Sequence, residues 1–153
     1  MKEIIDSTDC KLLACLQEDA RLSFRALGRR VDLSQPAVAD RVRRLENAGV
    51  LTGYRGQIDR TAAGLPITAF LRVRCTTDKF KAVQRLACDL PAVLECHHVT
   101  GEDCFLIKVA ANAMSDLEAT IERFREHGET VSSVVLSTVA EDKPIALNAP
   151  DVS

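Results

Sequence analysis

The spacing of apolar residues changes from helical to alternating near residue 60, and this change limits the chain to two kinds of structure in succession. Before it, leucine and valine recur at intervals of three and four residues, which is typical of amphipathic helices. We expect three helices there, beginning after the N-cap residues Asp6, Ser23 and Ser34. Pro36 is tolerated in the first turn of the third helix, and residues 50–58 are expected to follow as one or two short strands.

After residue 66 the pattern predicts strands and helices in the order β-α-β-β-α-β. The turn between the second and third strands is Thr100–Asp103, whose glycine and acidic residues are typical of hairpins. This order describes a ferredoxin-like sandwich, in which helices cover one face of an antiparallel sheet. The strands and helices are expected, in order, at 67–75, 79–89, 93–99, 104–110, 115–128 and 131–140.

Arginine is concentrated in the second and third predicted helices. Residues 21–44 contain seven arginines and two acidic residues, a local net charge of +5, although the whole chain carries −2. Arginine suits forked contacts with phosphates and base edges. An arginine-bearing third helix after a short turn, followed by a strand pair, describes a winged helix-turn-helix. We therefore predict an α+β chain with a DNA-binding domain at 1–60, a linker at 61–66 and a second domain at 67–153.

Motifs in both halves resemble one family of prokaryotic transcription regulators. The first half contains Ile5-Asp6-x-x-Asp9-x-x-Leu12-Leu13, then Leu33-Ser34, then Arg41-Val42-Arg43-Arg44-Leu45-Glu46-x-x-Gly49. The second half contains Cys96-His97-x-Val99-x-Gly101 leading into Phe105-Leu-Ile-Lys108. These motifs are similar to the leucine-responsive/asparagine-regulator (Lrp/AsnC) family over nearly the whole chain. The resemblance implies a regulator that binds double-stranded DNA through its first domain and an amino acid through its second.

The third helix supplies most of the candidate DNA contacts. If Val38, Val42 and Leu45 are buried, the start and outer face of this helix remain for the DNA groove. Arg21 has the alternative of pairing with Asp19 or Asp9 within the fold, and Phe24 and Tyr54 are expected in core or wing packing. We expect base or groove contacts from Ser34, Gln35, Ala37 and Arg41, and phosphate contacts from Ser23, Arg25, Arg43 and Arg44.

The hairpin turn is the candidate effector site. Gly101 allows close backbone approach, turn amides can hold a carboxylate, and Glu102 or Asp103 can hold an ammonium group. The family commonly has an aspartate three residues after this glycine, where this chain has Cys104. An ordinary polar turn is the alternative interpretation. We expect an amino acid or related metabolite to bind at Thr100, Gly101, Glu102, Asp103 and Cys104, against Ser137 and Thr138 from a neighbouring part of the assembly.

The open face of the predicted sheet indicates self-association. Two copies placed sheet to sheet would cover it, and a dimer would pair two helix-turn-helix units on DNA. The family implies further assembly into octamers or larger. No apolar stretch approaches the roughly 20 residues that span a bilayer, and the amino terminus lacks a secretory pattern. We therefore expect a cytoplasmic protein with no membrane partner and no cofactor.

The six cysteines have no Cys-x-x-Cys spacing and are expected as mostly buried thiols.

Three other functions fit parts of the sequence. Cys96, His97, His98 and Cys104 suggest a metal- or thiol-sensing regulator. Strand alternation, however, places only two of them on each face, and structural zinc needs about four ligands. A thiol hydrolase is a second alternative, but the sequence has no phosphate loop, nucleophile elbow or paired acids, so no enzyme is expected. A stand-alone amino-acid-binding module leaves the arginine-rich first half unexplained.

Overall fold

The computed structural model describes residues 5–147, which form two compact units. Of these residues, the first unit contains 5–57 and 140–147, and the second contains Ile58–Val139. The sequence division assigns residues 140–147 to the second half, whereas the structure groups them with the first unit. Within residues 5–147, no helix is long and apolar enough to cross a membrane.

Three helices form the first unit: α1 (Ser7–Glu18), α2 (Phe24–Val31) and α3 (Gln35–Asn47). Each begins after its predicted N-cap residue, whose side chain accepts a hydrogen bond from the backbone N–H three positions later. At α1 the cap is reciprocal, because the Asp9 side chain also accepts from the N–H of Asp6. A cap of this kind contributes about 1 kcal/mol, which helps to fix where short helices begin.

Close packing joins α2 to α3. A Cβ atom on Gly28 would lie 2.4 Å from the carbonyl oxygen of Leu33 and 3.6 Å from Val38 Cγ2. Only glycine therefore permits this approach between α2 and the start of α3. The buried core of the unit consists of Leu12, Leu16, Leu27, Val38 and Val42.

The segment after α3 contains no strand. Residues 50–58 are irregular and mostly exposed, so the expected wing of one or two short strands is wrong. Gly53 and Gly56 interrupt the run, and a two-stranded ribbon is at best marginally stable on its own. Tyr54 instead anchors the segment to α3 by donating its hydroxyl hydrogen bond to Glu46 at 2.9 Å.

The second unit has the predicted β-α-β-β-α-β order. Its elements are β1 (Ile67–Arg74), α4 (Phe80–Asp89), β2 (Val93–His98), β3 (Phe105–Ala111), α5 (Met114–Arg125) and β4 (Glu129–Val134). A short 3-10 helix, Thr77–Lys79, precedes α4. The strands lie in the sheet in the order β2-β3-β1-β4, every neighbouring pair is antiparallel, and this is the ferredoxin-like arrangement.

Alternation along the strands gives the sheet one buried face and one open face. On β1, Leu71 and Val73 are fully buried and belong to the core that also contains Phe124 of α5. The intervening Arg72 and Arg74 are exposed. The helices therefore cover one face only, and β1 presents two arginines on the other.

Two boundaries differ from the sequence expectation. Helix α5 begins at Met114 after Ala113, without a side-chain cap, so the expected cap at Ser115 is wrong. Strand β4 ends at Val134 rather than near residue 140. Its partner β1 begins at Ile67, and the last hydrogen bond between them runs from Val135 N–H to Thr68 O, so the chain beyond has no neighbour to pair with.

The six cysteines are free thiols, and most of them are not fully buried. Cys10 is buried and Cys88 is exposed, whereas the other four are partly buried, so the expectation of mostly buried thiols is wrong. Cys75 and Cys104 lie just outside strand ends and Cys96 lies on the edge strand β2, where cover by other elements is incomplete.

Candidate functional site

The predicted DNA-contact residues lie around α2 and α3, but they differ in exposure. Arg25, Gln35 and Arg43 are exposed, whereas Ala37 is partly buried. Arg43 pairs with Asp40 at 3.1 Å, and the two side chains are 68% and 76% exposed. An exposed pair of this kind contributes little to stability, so Arg43 can exchange Asp40 for another anion at low cost.

Ser23 and Ser34 act as helix caps. Ser23 Oγ accepts from the N–H of Ala26 at 3.2 Å, and Ser34 Oγ accepts from the N–H of Ala37 at 3.4 Å. Each cap satisfies one first-turn N–H and leaves the other N–H groups of that turn at the exposed helix end. Both ends therefore combine backbone donors with the partial positive charge of a helix N-terminus.

Arg41 and Arg44 are held against α1 by acidic residues. Arg41 donates to Asp6 at 2.6 Å and to Asp9 at 2.9 Å, and Arg44 donates to the second oxygen of Asp9. The Asp9 side chain is 0% exposed. The hydrogen bond from Arg41 holds the pKa of Asp6 below its ordinary value and exceeds the opposing effect of burial. Asp6, Asp9, Arg41 and Arg44 are called the α1–α3 ion cluster below.

The ion cluster gives Arg41 a different place from the one that the sequence predicts. The sequence assigns Arg41 to base reading, whereas its side chain is only 30% exposed and two carboxylates engage its guanidinium. The alternative considered for Arg21 is realised only through its backbone, because its N–H donates to Asp19 at 2.8 Å. The sequence identifies Asp9 as an acidic residue in the first turn of a helix. Its second role, as acceptor for the guanidinium groups of Arg41 and Arg44 on α3, has no local signal in the sequence.

Neither aromatic residue of the first unit belongs to its core. Phe24 is 39% exposed and Tyr54 is 47% exposed, so the core alternative of the expected core or wing packing is wrong. Tyr54 does lie in the segment that was expected to form the wing, where it contacts Glu46 of α3. Partial burial, followed by the hydrogen bond to Glu46, raises the pKa of Tyr54 to about 12. Tyr54 thus fixes the chain that follows α3 and keeps its proton throughout the physiological range.

A cavity of about 530 Å³ lies beside the end of α1. Its walls include Leu13 and Leu16 of α1, the segment 50–57, and Ile145 and Leu147. Gln17 holds the late segment in place: its Nε2 donates to Ile145 O at 3.1 Å, and its Oε1 accepts from Ile145 N–H at 2.7 Å. One side-chain amide therefore satisfies both backbone groups of Ile145, as a neighbouring strand would.

The turn between β2 and β3 brings the predicted acids to the arginines of β1. Gly101 has a φ of +119°, a conformation that favours glycine. Glu102 accepts from Arg74 at 2.8 Å, and Asp103 lies 3.8 Å from Arg72. Guanidinium and carboxylate groups therefore face each other here. A cavity of about 130 Å³ at this place is lined by Arg72, Arg74, Glu102, Asp103, Glu129 and Val131. This group is called the turn cavity.

Sequence reasoning found the acids of the turn cavity but not its arginines. The available signal was the alternation of β1, which places Arg72 and Arg74 opposite to the buried Leu71 and Val73. Ser137 and Thr138 are exposed beyond β4, and no hydrogen bond within residues 5–147 joins them to the turn of the same chain. Thr100 is exposed at the start of the turn.

Cys104 closes the turn beside Cys75. Its Sγ donates to the carbonyl oxygen of Cys75 at 3.1 Å and accepts from the N–H of Cys75 at 3.4 Å. Burial, followed by contact with the Cys104 thiol, raises the pKa of Cys75 to about 11. The N–H of Val99 donates to Cys104 O at 3.0 Å, so these two residues lie opposite each other across the hairpin.

The histidines beside this turn have separate neighbours. The ring of His98 packs edge-on against Phe80, with centroids 4.9 Å apart. His97 lies 3.2 Å from Glu95 on the same strand. In the described part of the chain, residues 5–147, no group of three or more His, Cys, Asp or Glu side chains could hold a metal ion. The geometry therefore gives no support to a metal-sensing hairpin.

Comparison with known proteins assigns both halves of the chain. Residues 5–46 match the AsnC-type helix-turn-helix domain, and residues 68–145 match the Lrp/AsnC ligand binding domain. The HTH-type transcriptional regulator Rv2324 of Mycobacterium tuberculosis is 35% identical over 147 residues, which cover 92% of this chain and 97% of the relative. The leucine-responsive regulatory protein of Rhizobium meliloti is 34% identical over 144 residues, covering 90% and 92%.

A solved structure supports the same assignment. The transcriptional regulator NMB0573 of Neisseria meningitidis, determined as an L-Met complex, superposes with a TM-score of 0.88 at 29% identity. The match covers 94% of this chain and 97% of that one. Fold and sequence therefore agree over both units, in the same order along the chain.

Proposed function

Because the chain belongs to the Lrp/AsnC family of HTH-type transcriptional regulators, we propose that α2 and α3 form its sequence-specific DNA surface. The observation that carries this proposal is the exposed side of α3, where Gln35 and Arg43 face solvent while Val38, Val42 and Leu45 are buried. Exposed arginine and amide side chains on a helix that can enter the major groove are the usual means of reading DNA.

Separate roles follow for the exposed residues. Gln35, the first residue of α3, is placed for base edges, with Ala37 beside it for apolar groove contact. Arg25 and Arg43 are placed for phosphates, together with the N-terminal amides that follow Ser23 and Ser34. Arg41 and Arg44 act through Asp9, because their guanidinium groups orient α3 on α1.

DNA binding can be tested with three single variants. The DNA is the region upstream of the protein's own gene, located by footprinting. Arg43→Ala is expected to weaken specific and random DNA about equally and to reduce the log–log salt slope by about 1. Gln35→Ala is expected to weaken specific DNA only. Arg123→Ala, which removes an exposed arginine of α5, is the control. Equal binding by all three variants, at both low and moderate salt, would contradict the proposal.

The turn cavity is our proposed effector site, and its ligand is a free amino acid. The charges suit a zwitterion, because Arg72 and Arg74 can donate hydrogen bonds to its carboxylate while Glu102 and Asp103 can accept from its ammonium group. Gly101 permits close backbone approach, and the L-Met complex of the Neisseria relative supports this ligand class. In the assembly, Ser137 and Thr138 of a neighbouring chain, with Thr100 and Cys104, complete the proposed site.

A thermal-shift screen against the twenty amino acids tests this site. At 100 times its Kd a ligand stabilises the protein by about 2.7 kcal/mol, which corresponds to a Tm increase of several degrees. Asp103→Ala is expected to abolish the increase, whereas Glu118→Ala, which removes an exposed acid of α5, should preserve it. A screen in which no amino acid changes Tm, assembly size or DNA affinity would refute the sensing proposal and leave DNA binding untouched.

The open face of the sheet is our proposed surface for self-association, first into a dimer and then into an octamer or larger. Phe70 and Val131 on this face are 36% and 43% exposed, and a second copy would bury them. Phe70→Glu is expected to lower the particle mass measured by light scattering, whereas Lys81→Glu on α4 should not. An unchanged mass for Phe70→Glu would contradict this surface. Since the proposed partner is DNA, we expect the protein in the cytoplasm.

A further inference from the structure

We propose that Cys75 and Cys104 form a thiol-oxidation site, in which an intramolecular disulfide ties the end of β1 to the start of β3. The site differs from the metal-sensing hypothesis, since Cys75 follows β1 and lies outside the hairpin that carries Cys96, His97 and His98. The disulfide can form whether or not the turn cavity binds an amino acid. Only its consequence for effector binding rests on the proposed function.

The backbone already brings the two cysteines together. The last pair between β1 and β3 is Val73 with Phe105, and Cys104 N–H donates to Val73 O at 2.9 Å. Cys75 and Cys104 therefore lie just beyond the last pair of this antiparallel ladder, Cys75 two residues after Val73 and Cys104 one residue before Phe105. Cys104 Sγ lies 3.1 Å from Cys75 O and 3.4 Å from Cys75 N, so the Cys104 sulfur lies against the backbone of Cys75.

The surroundings favour this pair over the other thiols. Gly128 lies close to Cys75, because a Cβ atom built at position 128 would lie 2.8 Å from Cys75 Cβ. Both cysteines are partly buried, so a small oxidant can reach them, but bulky protein thiols cannot do so readily. Cys88 is exposed and is therefore the natural competitor for mixed disulfides.

The chemistry needs a small organic disulfide, such as oxidised glutathione, as the oxidant. The Cys104 thiolate attacks one sulfur of the oxidant, forms a mixed disulfide and releases one thiolate. The Cys75 thiolate then attacks Cys104 Sγ, forms the Cys75–Cys104 bond and expels the second thiolate. The two protein thiols lose two electrons and two protons, and the oxidant becomes two small thiols. Because burial raises the pKa of Cys75, we assign the first attack to Cys104.

The disulfide would restrain the turn cavity. Cys104 ends the turn that carries Glu102 and Asp103, and Cys75 directly follows the strand that carries Arg72 and Arg74. A covalent link at this point holds the acids and the arginines at a fixed spacing. If the turn cavity is the effector site, oxidation and amino-acid binding act on the same few residues.

The test uses the full chain treated with oxidised glutathione, alkylated and then mapped by mass spectrometry. We expect a cross-link between Cys75 and Cys104 that a reductant reverses, with the intact mass lower by two hydrogen atoms. Trypsin cuts between the two residues, after Lys79, Lys81 and Arg85, but it leaves Cys88, Cys96 and Cys104 in one peptide, 86–108. Fragmentation of the linked peptides therefore identifies which of these three cysteines is joined to Cys75. Cys104→Ser and Cys75→Ser should each lose the cross-link, and Cys88→Ser, the matched control, should retain it.

A second measurement separates the site from incidental oxidation. Hydrogen exchange of the amides at 101–103 is expected to slow in oxidised Cys88→Ser and to recover on reduction. Glutathione found on Cys88 alone, a cross-link between other cysteines, or links only between chains would overturn the proposal. So would an unchanged exchange rate in the cross-linked protein. The cross-links are mapped in the parent protein and in Cys88→Ser, so the result stands even if Cys75→Ser or Cys104→Ser impairs folding. Loss of amino-acid binding with the cross-link intact would affect only the proposed function.

Discussion

The α1–α3 ion cluster predicts that Arg41→Ala destabilises the first unit much more than Arg43→Ala does. Arg41 donates to two carboxylates, one of which, Asp9, is 0% exposed. In the variant Asp9 keeps Arg44 and the N–H of Asp6 but loses one charged donor. A hydrogen bond to a buried charge contributes about 1.5–3 kcal/mol, and the exposed Asp6 pair adds little. We therefore expect a loss of about 2–3 kcal/mol.

Urea unfolding measured by tyrosine fluorescence tests this difference. Tyr54 is the only tyrosine of the chain, which has no tryptophan, and it lies in the first unit. With an m-value of about 1–2 kcal/mol/M, Arg41→Ala should lower the urea midpoint by about 1–3 M. Arg43→Ala removes only the exposed pair with Asp40, so its midpoint should move by less than about 0.5 M. Equal midpoints for the two variants, or the reverse order, would refute this account of Arg41.

The same cluster determines how the stability of the first unit changes with pH. Arg41 lowers the pKa of Asp6 in the folded state, so this carboxylate stabilises the fold above its ordinary pKa. That contribution is lost as the pH falls through the lowered value. Arg41→Ala removes the main cause of the shift, so the variant has less of this stability to lose. The difference in midpoint between parent and variant should therefore narrow as the solution is acidified from neutral pH.

Three further predictions follow from close contacts and backbone geometry. Gly28→Ala should lower the stability of the first unit by about 1–3 kcal/mol, because the added Cβ would clash with Leu33 O. Gly56→Ala is the control, since a Cβ at position 56 meets open space. Urea unfolding monitored by tyrosine fluorescence compares the two variants. Asp32→Gly should raise the same stability by about 0.5–1 kcal/mol, because Asp32 has a φ of 56° and an acid at a helix C-terminus. Gln17→Leu removes both hydrogen bonds to the Ile145 backbone, so amide exchange at Ile145 should accelerate about tenfold.

Local signals were enough to predict the order of elements. The N-caps at Asp6, Ser23 and Ser34 act within three residues, and the structure has all three. Alternation over β1 and the turn chemistry at Thr100–Asp103 are equally local, and they led to the correct strand order along the chain. Features of this kind depend on the backbone conformation of one short segment, which its own residues largely determine.

Features that depend on distant partners could not be predicted in this way. Arg41 pairs with Asp6 and Asp9, more than thirty positions earlier. Its helical spacing from Val38 and Leu45 places it beside the buried face of α3, but nothing near it in the sequence identifies these two partners. The prediction of a wing was wrong for a related reason. Residues 50–58 have strand-like composition, but a strand also needs a partner to complete its ladder. The end of β4 was overestimated because β1 gives it no neighbour beyond Thr68.

Cys104 connects the departure from the family pattern to the geometry of the turn. Its Sγ donates to the carbonyl oxygen of Cys75, a contact that a carboxylate could not make, because two acceptors would face each other in partial burial. The acids one and two positions after Gly101 instead project toward Arg74 and Arg72. The turn thus keeps two carboxylates opposite two guanidinium groups, while position 104 joins β1 through sulfur. Charge recognition and thiol chemistry therefore use neighbouring but distinct atoms of one turn. A change at Cys104 can alter the thiol chemistry without removing charge recognition.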